Sequence, residues 1–295
     1  MHRLWTLGGL SARELARRTW SESWQDAVFG QAGRMAFYHF LAIFPALLIF
    51  LTIASRVPWI ASELNETAVR LGREILPPPA SSLFSQTLVE LNRHLPAGLQ
   101  FLSASMGAMW AALNGTWALI VGLNIAYEVE ERREWWKLGA TVVGLTLVLA
   151  LVWAMALVLT FAAARVEQHV FNPSIGRDAA TTLLRGTHWL VVVVLLAFWF
   201  AVVYRFAPNL REAEWSWSTP GAVCAILLWV GATVGIRLYF QFVNDYWRTY
   251  GHLNSVIMLL LWLYLTNGAI LIGGEMNSEI EKAAAERGNG ERSGS

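Results

Sequence analysis

Val142-Val143-Gly144-Leu145-Thr146-Leu147-Val148-Leu149-Ala150-Leu151-Val152-Trp153-Ala154-Met155-Ala156-Leu157-Val158-Leu159 is eighteen consecutive residues without a single charge. As a helix rising 1.5 Å per residue it reaches about 27 Å, close to the ~30 Å of a bilayer's hydrocarbon core. Inside lipid, every backbone N–H and C=O needs a partner within the protein, so only helices and closed barrels cross. Barrel strands alternate apolar and polar residues; this run does not, and neither does Leu190–Val203. The run therefore reads as a membrane-spanning helix.

Composition extends that reading to the whole chain. Of 295 residues, 56% are hydrophobic and only 15% charged, too apolar for soluble domains. The expected fold is all-α, a polytopic membrane helix bundle with six transmembrane helices, at about 33–57, 101–127, 138–164, 188–207, 219–243 and 253–274. An extracytoplasmic helical hairpin, 58–100, separates spans one and two. Six crossings bring both termini to one side, and that side collects thirteen basic residues against eight on the other. Cytoplasmic flanks carry the excess of Lys and Arg, so both termini are expected in the cytoplasm of a bacterial inner membrane. The first thirty residues hold Arg3, Arg13, Arg17, Arg18, Glu14, Glu22 and Asp26 and no apolar core, unlike a cleavable signal sequence.

Outside the spans, 1–32 forms a cytoplasmic segment in which Trp20, Trp24 and Val28 share one helical face, as an interfacial helix requires. Trp59, Trp135, Trp136, Trp215, Trp217 and Trp247 stand where spans leave the bilayer and read as interfacial belts. In 58–100, Leu64, Ala68, Leu71 and Ile75 make one apolar stripe and Phe84, Leu88, Leu91 and Leu95 another, with Pro77-Pro78-Pro79 between them. The stripes are expected to face each other or the membrane. The tail 281–295 has nothing to bury and is expected to be disordered.

Several chemistries are excluded. Net charge is +1 without a basic block, so nucleic acid is not an expected partner. Cys224 stands alone, which removes disulfide frameworks and thiolate clusters. His2, His39, His94, His169, His188 and His252 lack metal-ligand spacing, and phosphate loops, dinucleotide turns and nucleophile elbows are absent. No metal or cofactor is expected, and the chain does not read as an enzyme.

What remains is polar matter inside lipid, where each ionisable group costs at least a few kcal/mol. Arg237 lies about six residues from the outer end of span five; it either snorkels to the headgroups or faces the bundle to bind an anionic group. Asn114-Gly115 and Asn267-Gly268 sit near the middle of spans two and six, as broken transporter helices or close helix packing require. The candidate polar path is Asn114, Asn124, Arg237 and Asn267. Pro45, Gly115, Gly231, Gly235, Gly268 and Gly274 form a candidate structural motif: Pro45 kinks span one, and Gly231 and Gly235 make a small-residue face on span five. Glu275 and Asn277 close span six, where a carboxylate is expected to stay wet.

Taken in order, Ala36-Phe37-Tyr38 through Phe44-Pro45, Trp110 to Asn114-Gly115, Leu123-Asn124-Ile125-Ala126-Tyr127 with Glu131-Arg132, Tyr204-Arg205-Phe206-Ala207-Pro208-Asn209, Pro220-Gly221-Ala222, Tyr250-Gly251, Leu261-Trp262-Leu263-Tyr264 and Gly274-Glu275-Met276-Asn277 resemble the YihY/virulence factor BrkB family of bacterial inner-membrane proteins. The resemblance covers about residues 25–280. It implies a six-helix inner-membrane protein with cytoplasmic termini and brings an association with transport or envelope lipid handling. The family's former ribonuclease label finds no basic groove or metal-binding carboxylate cluster here. Transport, export or lipid translocation is the leading expectation; a non-transporting scaffold or envelope assembly factor is the alternative. Membrane lipids and an unidentified solute or lipid substrate are the expected partners, and a homo-oligomer stays open.

Overall fold

The computed structural model describes residues 5–54, 69–70, 72–73, 76, 78–93, 98–170, 177–210, 219–242 and 252–293. These are helical throughout apart from short connections: a 3-10 turn Leu7–Gly9, then α1 Ala12–Gln25, α2 Val28–Ala54, α3 Pro78–Arg93, α4 Leu99–Ala126, α5 Trp135–Val170, α6 Arg177–Phe206, α7 Pro220–Phe242 and α8 His252–Ser293. Local chemistry sets several starts. Ser11 caps α1 by accepting a hydrogen bond from Glu14 N at 3.2 Å. α3 and α7 each begin at a proline, whose missing N–H costs nothing in a first turn.

The chain is a polytopic membrane helix bundle. Phe101–Ala126, Trp135–Ala163, Pro220–Tyr239 and Asn254–Arg287 are long and apolar enough to cross a bilayer, and Leu190–Phe206 is a shorter apolar segment. With α2, whose 27 residues include the expected Pro45, these occupy the six expected span positions. Leu147, Leu151 and Trp153 of α5, Val193 of α6 and Leu227 of α7 point outward. Water would penalise so much exposed apolar surface; lipid does not.

The main core gathers the start of α2 (Val28, Ala32, Met35), the end of α4 (Ile120, Leu123), the start of α5 (Leu138, Val142), the end of α6 (Phe200, Val203, Tyr204), the start of α7 (Ala222, Ala225) and Ile270 and Leu271 of α8. Successive helices thus meet at alternating ends, as an antiparallel bundle requires. Both described ends of the chain also meet: Gly8 packs on Ile280 and Ala283, and Arg287 donates to the Gly9 carbonyl.

One element differs from expectation. The tail, expected to be disordered, continues α8 through Ser293. It does have something to bury, because Ala283 is covered and Arg18 of α1 lies 3.9 Å from Glu286. The stripe that matters is contributed by the N-terminal segment, which the tail's own composition does not reveal. In the hairpin, the first expected helix falls mostly outside the described residues. The second, α3, joins Ala80 and Leu83 to a cluster with Ala36 and Phe40 of α2 and Leu259 and Leu263 of α8. It therefore rests on the bundle itself, while Phe84 packs on Gly72 and Leu88 is fully buried.

α1 buries Leu15, Thr19 and Ser23, and α8 is the element it packs against most. Trp20 and Trp24, 56% and 61% exposed, cluster with Phe29 on its other side. Trp135 and Trp136 are likewise exposed, with Lys137 Nζ 5.1 Å over the Trp136 ring. Trp59, Trp215, Trp217 and Trp247 lie outside the described residues.

Candidate functional site

The polar residues singled out in the sequence fall at three levels of the bundle. At mid-depth, the two Asn-Gly pairs approach the same side chain, His39 of α2. A Cβ on Gly115 would lie 2.9 Å from His39 Cδ2 and 3.2 Å from Nε2, so the missing side chain is the space the imidazole occupies. His39 also lies alongside Asn267. The Asn267 amide, 1% exposed, donates from Nδ2 to Leu263 O at 2.8 Å, whereas its buried Oδ1 has no well-formed hydrogen bond. Asn114 bonds back to its own helix, Nδ2 to Trp110 O at 2.7 Å. A Cβ on Gly268 would lie 3.9 Å from Ala32 Cβ, an ordinary contact. These pairs thus act as close approaches of α4 and α8 to α2, and their helices stay unbroken. His39 was overlooked in the sequence because no motif surrounds it; the signal was its place in a span.

Ten residues further along α4, about 15 Å, Asn124 belongs to the end of the bundle where both described ends of the chain meet. Its Nδ2 donates to Glu131 Oε2 at 2.9 Å and its Oδ1 accepts from Asn209 N at 2.8 Å. Asn209 Nδ2 donates to Glu130 O at 3.0 Å, and Arg133 grips Glu131 and donates to Ala207 O at 3.0 Å. Burial pushes the Glu131 carboxyl up, but hydrogen bonds from Arg133 and Asn124 outweigh it and hold it below the usual range. This network ties the α4–α5 connection to the end of α6.

Around Glu275 the packing is tighter still. Gly273 and Gly221 meet backbone to backbone, Tyr204 Oη donates to Ile270 O at 2.8 Å, and Gly274 faces Leu123 and Ala126. Asn277 accepts from Gly221 N at 2.9 Å and donates to Thr219 Oγ1 at 3.0 Å. Glu275, expected to stay wet, is completely buried, with neither carboxyl oxygen receiving a hydrogen bond. The cover comes from α1 and the turn after it, which bring Asp26 to hydrogen-bonding range of Glu275. Burial first, then the nearby Glu128 carboxylate, raise the Asp26 carboxyl above its ordinary value.

At the opposite end of the bundle, Arg237 Nη2 donates to the backbone carbonyl of Arg73 at 3.0 Å, so α7 holds the chain ahead of α3. Arg237 follows Ile236, one of the residues lining an apolar groove of about 430 Å³ between α7 and α8, with Ala232, Gly235, Tyr239, Met258 and Leu261. Gly231 and Gly235 are exposed, and a Cβ on either would meet open space. Trp262 Nε1 donates to Thr233 Oγ1 at 3.1 Å and pins α8 to α7 beside the groove. Asn114 and Asn267 thus share one level, while Asn124 and Arg237 each stand at another. Among the described residues no group of three or more His, Cys, Asp or Glu is placed to hold a metal ion.

A family model described as Virulence factor BrkB matches residues 19–294. A putative ribonuclease-like protein of Bacillus subtilis (strain 168) is 28% identical over 261 residues, covering 85% of this chain and 90% of that protein. UPF0761 membrane proteins of Stenotrophomonas maltophilia strains K279a and R551-3 are 27% and 28% identical over 278 and 282 residues. Each match covers 91% of this chain but 61% of the Stenotrophomonas protein, so the chain spans less than two thirds of their length. No solved structure matches.

Proposed function

Since this chain belongs to the Virulence factor BrkB family, we propose that it moves an amphiphile with an anionic headgroup across the inner membrane, and that it is not an enzyme. The observation that supports this reading is the apolar groove between α7 and α8, with the guanidinium of Arg237 at the same level of α7. An acyl chain needs an apolar trough reachable from lipid, and an anionic headgroup needs a fixed cation at the membrane's edge. In this reading both termini and the α8 extension are cytoplasmic, and the hairpin lies on the opposite side. Arg237 then holds Arg73 O until a headgroup competes for its five donors.

The alternative, a non-transporting scaffold, draws on the closed packing at His39, Gly115 and Asn267. Proteoliposomes carrying fluorescent anionic or zwitterionic lipids separate the two. Transport predicts protein-dependent movement of the anionic probe, reduced at least tenfold by Gly235→Trp, which plugs the groove, and impaired by Arg237→Lys, which loses the planar fork. Movement no faster than in empty liposomes, or unaffected by both substitutions, would reject it.

A further inference from the structure

The turn between α1 and α2 places a carboxyl against a buried carboxyl of α8. Glu275 has no exposed surface, and its Oε1 and Oε2 both lack a hydrogen-bond donor, as does the buried Oδ2 of Asp26. Two carboxylates offer each other only acceptors, so the contact between them is repulsive when both are ionised. The nearest cation does not resolve it. Lys282 Nζ is committed to Glu128 at 2.7 Å and Glu279 at 2.8 Å. The other charged group facing Glu275 is Glu22 of α1, while Arg18 of α1 pairs with Glu14 at 3.1 Å and lies 4.0 Å from Glu279. Tyr127 at the end of α4 is directed to Asn277 instead. Asp26 and Glu275 therefore lie among three further carboxyls, Glu22, Glu128 and Glu279, with Lys282 as the cation near both, and the deepest carboxyl, Glu275, has no donor on either oxygen.

We propose that Asp26 and Glu275 together bind one proton at the inner end of the bundle, and that this proton holds the α1–α2 turn on α8. With the proton in place, the O–H of one carboxyl donates to the carboxylate of the other, and the buried acceptors gain their missing donor. When it leaves to water, two adjacent buried charges remain. The cheaper arrangement then separates them, lifting the turn and its helix from α8 and admitting water to Glu275. The proton belongs to the pair, which titrates as a unit. Burial and Glu128 already raise the Asp26 carboxyl, which agrees with this assignment.

The test uses the full chain in lipid nanodiscs. Infrared difference spectra between wild type and Glu275→Gln should show a protonated-carboxyl stretch near neutral pH that is lost in the variant and titrates away in alkali. Spin labels at the exposed Ser21 and Ala285, with Cys224 replaced by Ser, should report a short distance while that band persists and a growing longer-distance population as it disappears. Glu275→Gln keeps the side chain's shape and supplies an amide donor to Asp26, so its distance should stay short at every pH. If Glu275→Gln does not accumulate, Asp26→Asn carries the same expectation. The proposal is overturned if Glu275 contributes no protonated-carboxyl band, if the wild-type distance ignores pH, or if sodium or magnesium at fixed pH removes the band. The first two results together would leave the pair a static ion site, and the third would make it a metal-cation site.

Discussion

Gly115 has room for a hydrogen and nothing larger, because the His39 ring fills the space where a side chain would begin. Gly115→Ala should cost about 1–3 kcal/mol through overpacking. The penalty should shrink when His39→Ala is added, since the double variant restores the space. Melting of the detergent-solubilised protein measures all three, and strictly additive losses would mean that the two side chains do not share one volume. Asn124 acts differently, through hydrogen bonds: its loss strands Asn209 N and removes one of the bonds stabilising the Glu131 carboxylate. A carboxyl held below its ordinary value contributes stability above its unfolded pKa, about 4.3, and that contribution is lost as pH falls through the lowered value. Asn124→Ala should therefore lower the melting temperature most near neutral pH, and the gap to wild type should narrow in acid. A gap independent of pH would detach Asn124 from the Glu131 titration.

Among the elements, α8 carries the most consequence. Its 42 residues at 1.5 Å each give about 63 Å, twice the thickness of a hydrocarbon core. Half of it thus forms a post beyond the membrane, on which the 3-10 turn and α1 dock. Gly8 sits at a φ of 58°, in the left-handed region that side chains disfavour, and a Cβ there would stand 2.6 Å from Ile280 O. Gly8→Val should release the turn, and Ala283→Asp should release α1 by placing a charge in the covered contact. Faster amide hydrogen exchange across residues 12–25, with α5 and α7 unchanged, is the expected reading. Unchanged exchange in both variants would mean that the contact does not hold α1. α3 depends on its membrane neighbours in the same way, since Ala80 and Leu83 share one cluster with α2 and α8.

For the whole molecule, the meeting of the N-terminal turn with the end of α8 ties the two termini to one side. Cysteines at Ser21 and Ala285, in a Cys224→Ser background, should both resist an impermeant thiol reagent in intact cells and both react in lysates. Labelling of just one of them in cells would break the antiparallel scheme. That scheme was legible in the sequence, because lipid solvation leaves long uncharged runs such as Val142–Leu159 only one structure, and because those runs count the crossings directly. Gly274 and Gly115 were legible as small residues without their partners being known. Which side chain fills a glycine's space depends on crossings between α2, α4 and α8, and no periodicity along one chain records that. The same reason hid the end of the bundle around Glu275. Glu275 looks solvated where a span closes, and the tail after it looks featureless, until α1 folds back from some 250 residues away and covers both. Composition chose the solvent and the helices; contacts between distant helices decided which polar groups lost their water.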